Sequence, residues 1–211
     1  MADELALWSA WQNVHFNHSK TKVMFVHKKR LITTPILKID DHVLEFSDNL
    51  KYLGVIIDKK LTWKNHVDSL VGKSLSIKHQ ITILMNRSRS NAKLKNCLYK
   101  ALVEPKILYA SEIWGSALSK KTYKDKVAQI QRNFLKMITS ARQTASSKKL
   151  LTITGQMNIT DKINFRMECY QKKKEMIQNN VSINEMNIWK KQQKLHQRRT
   201  KKYISVLLHQ N

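Results

Sequence analysis

The sequence predicts an α+β protein: a small antiparallel β-sheet, then a mostly helical bundle, then a basic tail that is helical or partly disordered. Three observations predict it. Short apolar runs broken by turn residues occupy the chain up to Asp58, apolar residues recur at spacings of three, four and seven from Thr62 onward, and basic residues become denser toward the end. The 211 residues fit one domain or one and a half, and a hydrophobic content of 42% excludes wholesale disorder. Only 4 Gly and 2 Pro exclude collagen-like and linker-like designs.

The elements follow in order. Leu5, Leu7, Trp8 and Trp11 give a rough apolar face and predict a helix over residues 3–13. No capping residue precedes it, so the chain is expected to start inside an element of a longer polypeptide. Asn17-His18-Ser19 reads as a turn, Val23–Val26 as a short strand, and Lys28-Lys29-Arg30 as a polar connection. Ile36–Ile39 and Val43–Phe46 read as two strands around Asp40-Asp41. Residues 51–58, Lys-Tyr-Leu-Gly-Val-Ile-Ile-Asp, read as one strand buried on both faces, with Gly54 allowing close approach of a backbone or a ligand. Trp63, Val67, Leu70, Ser74, Ile77, Ile81 and Leu84 form one helical stripe, with Thr62 as its cap. A second helix carries Leu94, Cys97, Leu98, Ala101 and Leu102 until Pro105 kinks or ends it. An apolar helix continues from Ile107 to Trp114, and a third stripe holds Val127, Ile130, Phe134, Met137 and Ile138. Residues 148–153 and 159–170 read as short helices, and order beyond residue 170 stays open.

Charge bounds the function. Lys and Arg number 39 against 15 Asp and Glu, a net charge of +24, far above the roughly 2 to 8 that solubility asks of a small domain. A polyanion is the natural partner, since each cation set on a phosphate releases condensed counterions. Two cysteines, Cys97 and Cys169, build neither a disulfide scaffold nor a zinc site; Cys97 reads as a small core residue on its helical stripe, and the compartment is expected to be reducing and intracellular. No apolar run approaches bilayer length, so no membrane partner is expected. Asp40-Asp41 suits turn geometry better than a two-metal site, and the eight histidines are dispersed on turns and surfaces. No nucleophile elbow, phosphate-cradling Gly loop or His-Glu metal helix is present. Tyr99, Tyr109, Tyr123, Trp189 and Tyr203 are interleaved with bases and could stack on nucleotides, while Trp63, Tyr109, Trp114 and Phe134 read rather as core.

Several strings then converge. Trp11 followed by Asn17-His18-Ser19-Lys20-Thr21-Lys22-Val23-Met24-Phe25 resembles the segment after the catalytic strand in the reverse transcriptases of non-LTR (LINE-type) retrotransposons. Residues 51–58, then Leu61-Thr62-Trp63 and His66-Val67, are similar to the next block of those enzymes. Leu98-Tyr99, Val103, Pro105, Leu108-Tyr109, Trp114, Gln131-Arg132, Phe134-Leu135, residues 141–144 and residues 150–155 continue the likeness into the thumb. The order is colinear over about residues 8–160, and its flavour is that of insect elements, including the type inserted in ribosomal DNA.

The resemblance implies a palm end with a primer-grip hairpin at 1–60, a helical thumb at 61–145 and a basic extension at 146–211. It implies that Tyr52, Leu53 and Gly54 hold the primer end, and that Lys20 and Lys22 follow the active-site strand. Lys20 there is a candidate proton donor to the leaving pyrophosphate, or else a surface lysine on a turn. Lys22, Lys73, Lys78, Arg87, Arg89, Lys93 and Lys100 are the implied contacts to nucleic acid, made through phosphates and duplex shape. RNA template, DNA primer and the remainder of a Pol polyprotein, including an endonuclease, are the implied partners, with no small-molecule substrate and with nuclear action at integration. Mg²⁺ belongs to the parent enzyme: the family's Tyr-x-Asp-Asp carboxylates are absent from these residues, so this piece is expected to grip without polymerising. The alternative is a stand-alone basic nucleic-acid-binding module without enzymatic activity. A protein that merely packs nucleic acid fits poorly with the ordered stripes.

Overall fold

A computed structural model describes residues 2–17, 20–26, 36–39, 42–88, 91–179 and Lys191. Asp40-Asp41, the basic run at 28–30, Arg89, Trp189 and Tyr203 lie outside them. The described chain is mostly helical with small antiparallel strand pairs, the α+β class expected, and forms two compact units, Met1–His66 and Val67–Asn211.

The first unit opens with α1 (Ala2–Trp11), which packs on β1 (Lys38–Ile39). Of the apolar face read in α1, Leu7, Trp8 and Trp11 are exposed, and Ser9 is buried among the described side chains. β1 pairs antiparallel with β2 (His42–Val43), as the two strands around Asp40-Asp41 were expected to. The predicted strand at 23–26 reduces to a single parallel bridge between Val23 and Phe46, with the Ser47 amide donating to the Val23 carbonyl at 2.8 Å. Residues 51–58 are not one strand. β3 (Asn49–Tyr52) and β4 (Val55–Asp58) form a hairpin in register Tyr52 to Val55, turning at Leu53-Gly54. Both turn residues have positive φ, 45° and 86°, the two-residue turn whose twist matches paired strands. Gly54 thus serves the turn itself. Only β4 is inward-facing, through Val55 and Asp58.

Asp58 then organises the passage into α2 (Lys64–Ser88). Its carboxylate accepts from the amides of Lys60 at 3.1 Å, Thr62 at 3.0 Å and Trp63 at 2.6 Å, and from the Thr62 hydroxyl at 3.2 Å. Thr62 is therefore not the cap expected: α2 begins two residues later, and the Thr62 hydroxyl donates to the Asp58 carboxylate. His66, read as a turn or surface residue, is buried, and its Nδ1 accepts from the Ile56 amide at 3.3 Å. That bond ties the first turn of α2 to β4.

The second unit holds the core. The α2 stripe is buried as read from Val67 to Ile81, with Leu84 exposed. α3 (Ala92–Leu98) begins at Asn91, whose side chain caps the Leu94 amide at 2.9 Å. A π-helical turn, Tyr99–Val103, leads into α4 (Glu104–Leu108). Its cause is Pro105, which cannot donate to the carbonyl four residues back and crowds it; a widened turn relieves the clash. The wider turn rotates the buried face to Tyr99, Val103 and Ile107. Cys97, expected in the core, is exposed because two residues before buried Tyr99 is roughly the opposite face of the helix, and Cys169 is partly exposed. The helix expected from Ile107 to Trp114 breaks at Ala110, which adopts φ 50° before α5 (Ser111–Trp114). A 3₁₀ turn, Gly115–Ser119, precedes α6 (Lys121–Thr139), whose Val127, Ile130, Phe134 and Ile138 are buried, with Met137 half-buried. α7 (Ser147–Thr154) and α8 (Ile159–Gln178) complete the unit, α8 running eight residues past the expected end at Tyr170. Gln131 fastens α8, donating to the Met157 carbonyl and accepting from the Ile159 amide, each at 2.9 Å.

Two predictions follow from these contacts. Burial raises the Asp58 carboxyl, and the amides of Thr62, Trp63 and Lys60 outweigh it, so the group sits below the ordinary aspartate range. A lowered value means stability present above the unfolded value of about 3.9 and lost as pH falls through the folded one. Asp58→Asn is expected to cost roughly 1.5–3 kcal/mol in urea unfolding at pH 7 and to flatten this acid-limb dependence. At Gly115, an added Cβ would lie 2.5 Å from Met167 Sδ and 2.9 Å from Ile163 Cγ2. Met167 is flexible but Ile163 is fully buried, so Gly115→Ala is expected to lower stability by about 1–3 kcal/mol, read by thermal melting.

Candidate nucleic-acid interface

In the first unit the expected site residues lie at the surface. Asn17 builds a turn by accepting, through its Oδ1 and its carbonyl, from the Lys20 amide at 3.1 Å each, and the Thr21 amide and hydroxyl also donate to that carbonyl. This leaves Lys20 and Lys22 exposed on the segment entering the Val23–Phe46 bridge. The same bridge leads into β3, so the lysine segment and the hairpin belong to one unit. At the hairpin tip Tyr52 is 61% and Leu53 73% exposed, and Gly54 is exposed.

Leu53 is unusual. A bulky residue at φ 45° is a steric outlier in a position that Asn, Asp or Gly fills more readily. Its side chain lies outside the core, exposed at the tip of the hairpin.

In the second unit Lys73, Lys93 and Lys100 are exposed and Lys78 is half-buried. Arg87 lies in the last turn of α2, and Arg89 falls outside the described residues. Lys73 and Lys78 share α2, while Lys93 lies on α3 and Lys100 on the π turn. An open groove of about 510 Å³ between α2 and α6 is lined by Val71, Lys121, Thr122, Asp125, Lys126 and Gln129. Lys126 is paired with Asp68 across it. Beside it a smaller recess takes in Lys78 and Asn133. Sequence reading assigned no role to α6 cations; Arg132 and Lys136, four apart beside an apolar stripe, were the available signal.

The aromatic candidates divide. Tyr99 is fully buried on Phe134, ring centroids 5.6 Å apart, so it stacks on no nucleotide. Burial, then the Glu104 carboxylate, push its phenol well above the ordinary range. Trp63, Trp114 and Phe134 are core, Tyr109 is exposed, and Tyr123 lies under the Lys120 ammonium at 5.7 Å.

Among the described residues no three His, Cys, Asp or Glu side chains come together to hold a metal ion. Among the same residues no helix is long and apolar enough to cross a membrane.

The first unit thus presents an exposed hairpin tip and a lysine-bearing turn, and the second unit presents helices with exposed lysines. The chain is a homologue of part of the RNA-directed DNA polymerases of Drosophila non-LTR retrotransposons. It is 31% identical over 144 residues to the RNA-directed DNA polymerase from mobile element jockey of Drosophila funebris, a match covering 66% of this chain and 15% of that protein. It is 25% identical over 177 residues to the probable RNA-directed DNA polymerase from transposon X-element of Drosophila melanogaster, covering 83% and 19%. The corresponding protein of transposon BS is 28% identical over 137 residues, covering 64% and 15%. The chain thus spans less than a fifth of the curated relatives it matches. No family model and no solved structure matches it.

Leu53→Asn is expected to stabilise the hairpin by about 0.5–1 kcal/mol, because Asn tolerates the left-handed region. Chemical denaturation of the two proteins checks it; a destabilised variant would show that Leu53 serves the fold.

Proposed function

We propose that this chain is the nucleic-acid-gripping part of a retrotransposon RNA-directed DNA polymerase. In this reading residues 1–60 end the palm and carry the primer-grip hairpin, residues 61–145 form the thumb, and residues 146–211 form a basic extension. The observation that carries the reading is colinear similarity to several RNA-directed DNA polymerases over two thirds of the chain or more. The exposed turn at Tyr52, Leu53 and Gly54 supports a role in holding the primer end, since a hairpin tip with no side chain at Gly54 lets a sugar–phosphate backbone come close. Lys20 and Lys22 are placed near the incoming nucleotide, with Lys20 as proton donor to the pyrophosphate. Lys73, Lys78, Arg87, Arg89, Lys93 and Lys100 are assigned to phosphates of the template–primer, a contact that carries no base information.

The partners proposed are the element RNA, a DNA primer and the rest of the polyprotein, which supplies the Mg²⁺-holding carboxylates and an endonuclease. Integration places the assembly in the nucleus. Catalysis therefore divides between a metal site elsewhere and a grip here.

Binding and extension separate this reading from a self-contained polymerase. The purified chain, given a primed RNA template, Mg²⁺ and deoxynucleotides, is expected to bind without extending the primer. If about five phosphates are neutralised, log affinity should fall with log salt at a slope of roughly −4 to −5. Primer extension by the chain alone, or binding indifferent to salt, would refute it.

A further inference from the structure

Three cations crowd the seam between α2 and α6. The helices meet where the Thr82 hydroxyl donates to Met137 Sδ at 3.6 Å, and Lys78, one turn before Thr82, lines the same recess as Asn133. Arg132 and Lys136 follow on α6, four residues apart, where like charges destabilise a helix. All three side chains are half-buried. Partial desolvation, then the neighbouring Arg132 and Lys78 charges, hold Lys136 below the ordinary lysine range.

Three other cations of this unit have acidic partners: Lys126 pairs with Asp68, Lys162 with Glu104, and Arg166 with Glu112 at 3.7 Å. Among the described residues no carboxylate pairs with Lys78, Arg132 or Lys136. Neutral acceptors hold two of the heads instead. Lys136 Nζ donates to Gln143 Oε1 and Arg132 Nη2 to the Ala145 carbonyl, each at 3.1 Å. Arg132 Nε is buried with no acceptor. These tethers fix the position of the charges and leave the charge itself uncancelled. Crowded, positioned cations without a counter-charge are what an anion completes, and a guanidinium beside two ammonium groups suits phosphate oxygens.

We propose that Lys78, Arg132 and Lys136 form a phosphate clamp on the α2–α6 seam that takes a phosphodiester of bound nucleic acid. The clamp rests on the template–primer reading for its ligand and adds an α6 contact that the reading lacks. It reads no base, and its strength is set by salt.

The test uses the full chain as wild type, as K78Q/R132Q/K136Q, and as K172Q/K173Q/K174Q, which removes equal charge from the exposed end of α8. Affinity for a primed RNA–DNA duplex is measured between 50 and 200 mM NaCl, a range set by the salt dependence of phosphate contacts. The clamp variant is expected to lose about two to three from the slope, roughly one per phosphate contact, and the α8 variant less than one. Equal slopes for the two variants would overturn the clamp. Thermal melting supplies a second readout with inorganic phosphate as the probe. Removing the repulsion should raise the clamp variant's melting temperature at low salt, and exchanging chloride for phosphate at equal ionic strength should stabilise the wild type more than the variant. Equal responses to phosphate would overturn the clamp even where duplex binding persists. Phosphate stabilisation confined to the wild type, with no duplex binding by any of the three proteins, would retain the anion site and refute the template–primer reading.

Discussion

The Asp58 carboxylate is the constraint on which the first unit depends. After β4 the chain must turn into α2 within a few residues, and it does so with two bulky residues at positive φ, Leu61 at 52° and Trp63 at 62°. Each such residue costs on the order of 1–3 kcal/mol and persists only where its surroundings enforce it. One carboxylate enforces both by collecting three amides and a hydroxyl. Charged acceptors make the stronger hydrogen bonds, which is why Asp rather than Asn suits the place. With the turn held, Trp63 is buried and His66 meets the Ile56 amide, so β4 is anchored while the opposite end of the hairpin stays exposed.

The second unit solves a different problem, how to pass a proline through a helix without ending the core. The π turn at Tyr99–Val103 absorbs Pro105 and swings Tyr99 inward onto Phe134. Tyr99 and Gln131 then share the interior with Thr160, and Gln131 closes both polar groups at the start of α8. Gly115 allows the close approach of α8 to the 3₁₀ turn. These are local exceptions to helix periodicity, and each is matched by a tertiary contact that uses it.

That pattern explains what a reader of the sequence sees and misses. The stripes of α2 and α6 are legible because an uninterrupted helix keeps one phase, and burial from Val67 to Ile81 and from Val127 to Ile138 follows it. The α3 face is misread, with Cys97 placed inside, because the apolar stripe follows Leu94, Leu98 and Leu102, whereas the buried face is that of Tyr99, Val103 and Ile107. The hairpin at 51–58 is misread as one strand because Leu53 hides a turn that Asn-Gly would have announced. Asp58 looks like the polar end of a strand, and its role appears only when the amides of residues 60–63 fold back on it. Candidate contacts on α2 are legible as isolated lysines. Their company on α6 is not, since the approach of Lys78 to Arg132 and Lys136 is a fact of helix packing.

Two features of the surface run against the isolated fold. Leu53 holds a strained backbone while exposing an apolar side chain, and Lys136 lies near Arg132 and Lys78 with no carboxylate paired to any of the three among the described residues. The interior shows the opposite habit: its exceptions at Pro105 and Gly115 are each answered by a neighbour. Natural sequences keep their levels consistent except where function intervenes, and exposed exceptions are where such intervention is to be sought. Here they fall on two separate units, one at a hairpin tip and one on a helix seam. The proposed primer contact at the tip and the proposed clamp on the seam ask for the same kind of ligand, although neither contact makes or breaks a bond. Under that proposal each unit is less stable alone than it could be, by an amount that a bound nucleic-acid strand is expected to return.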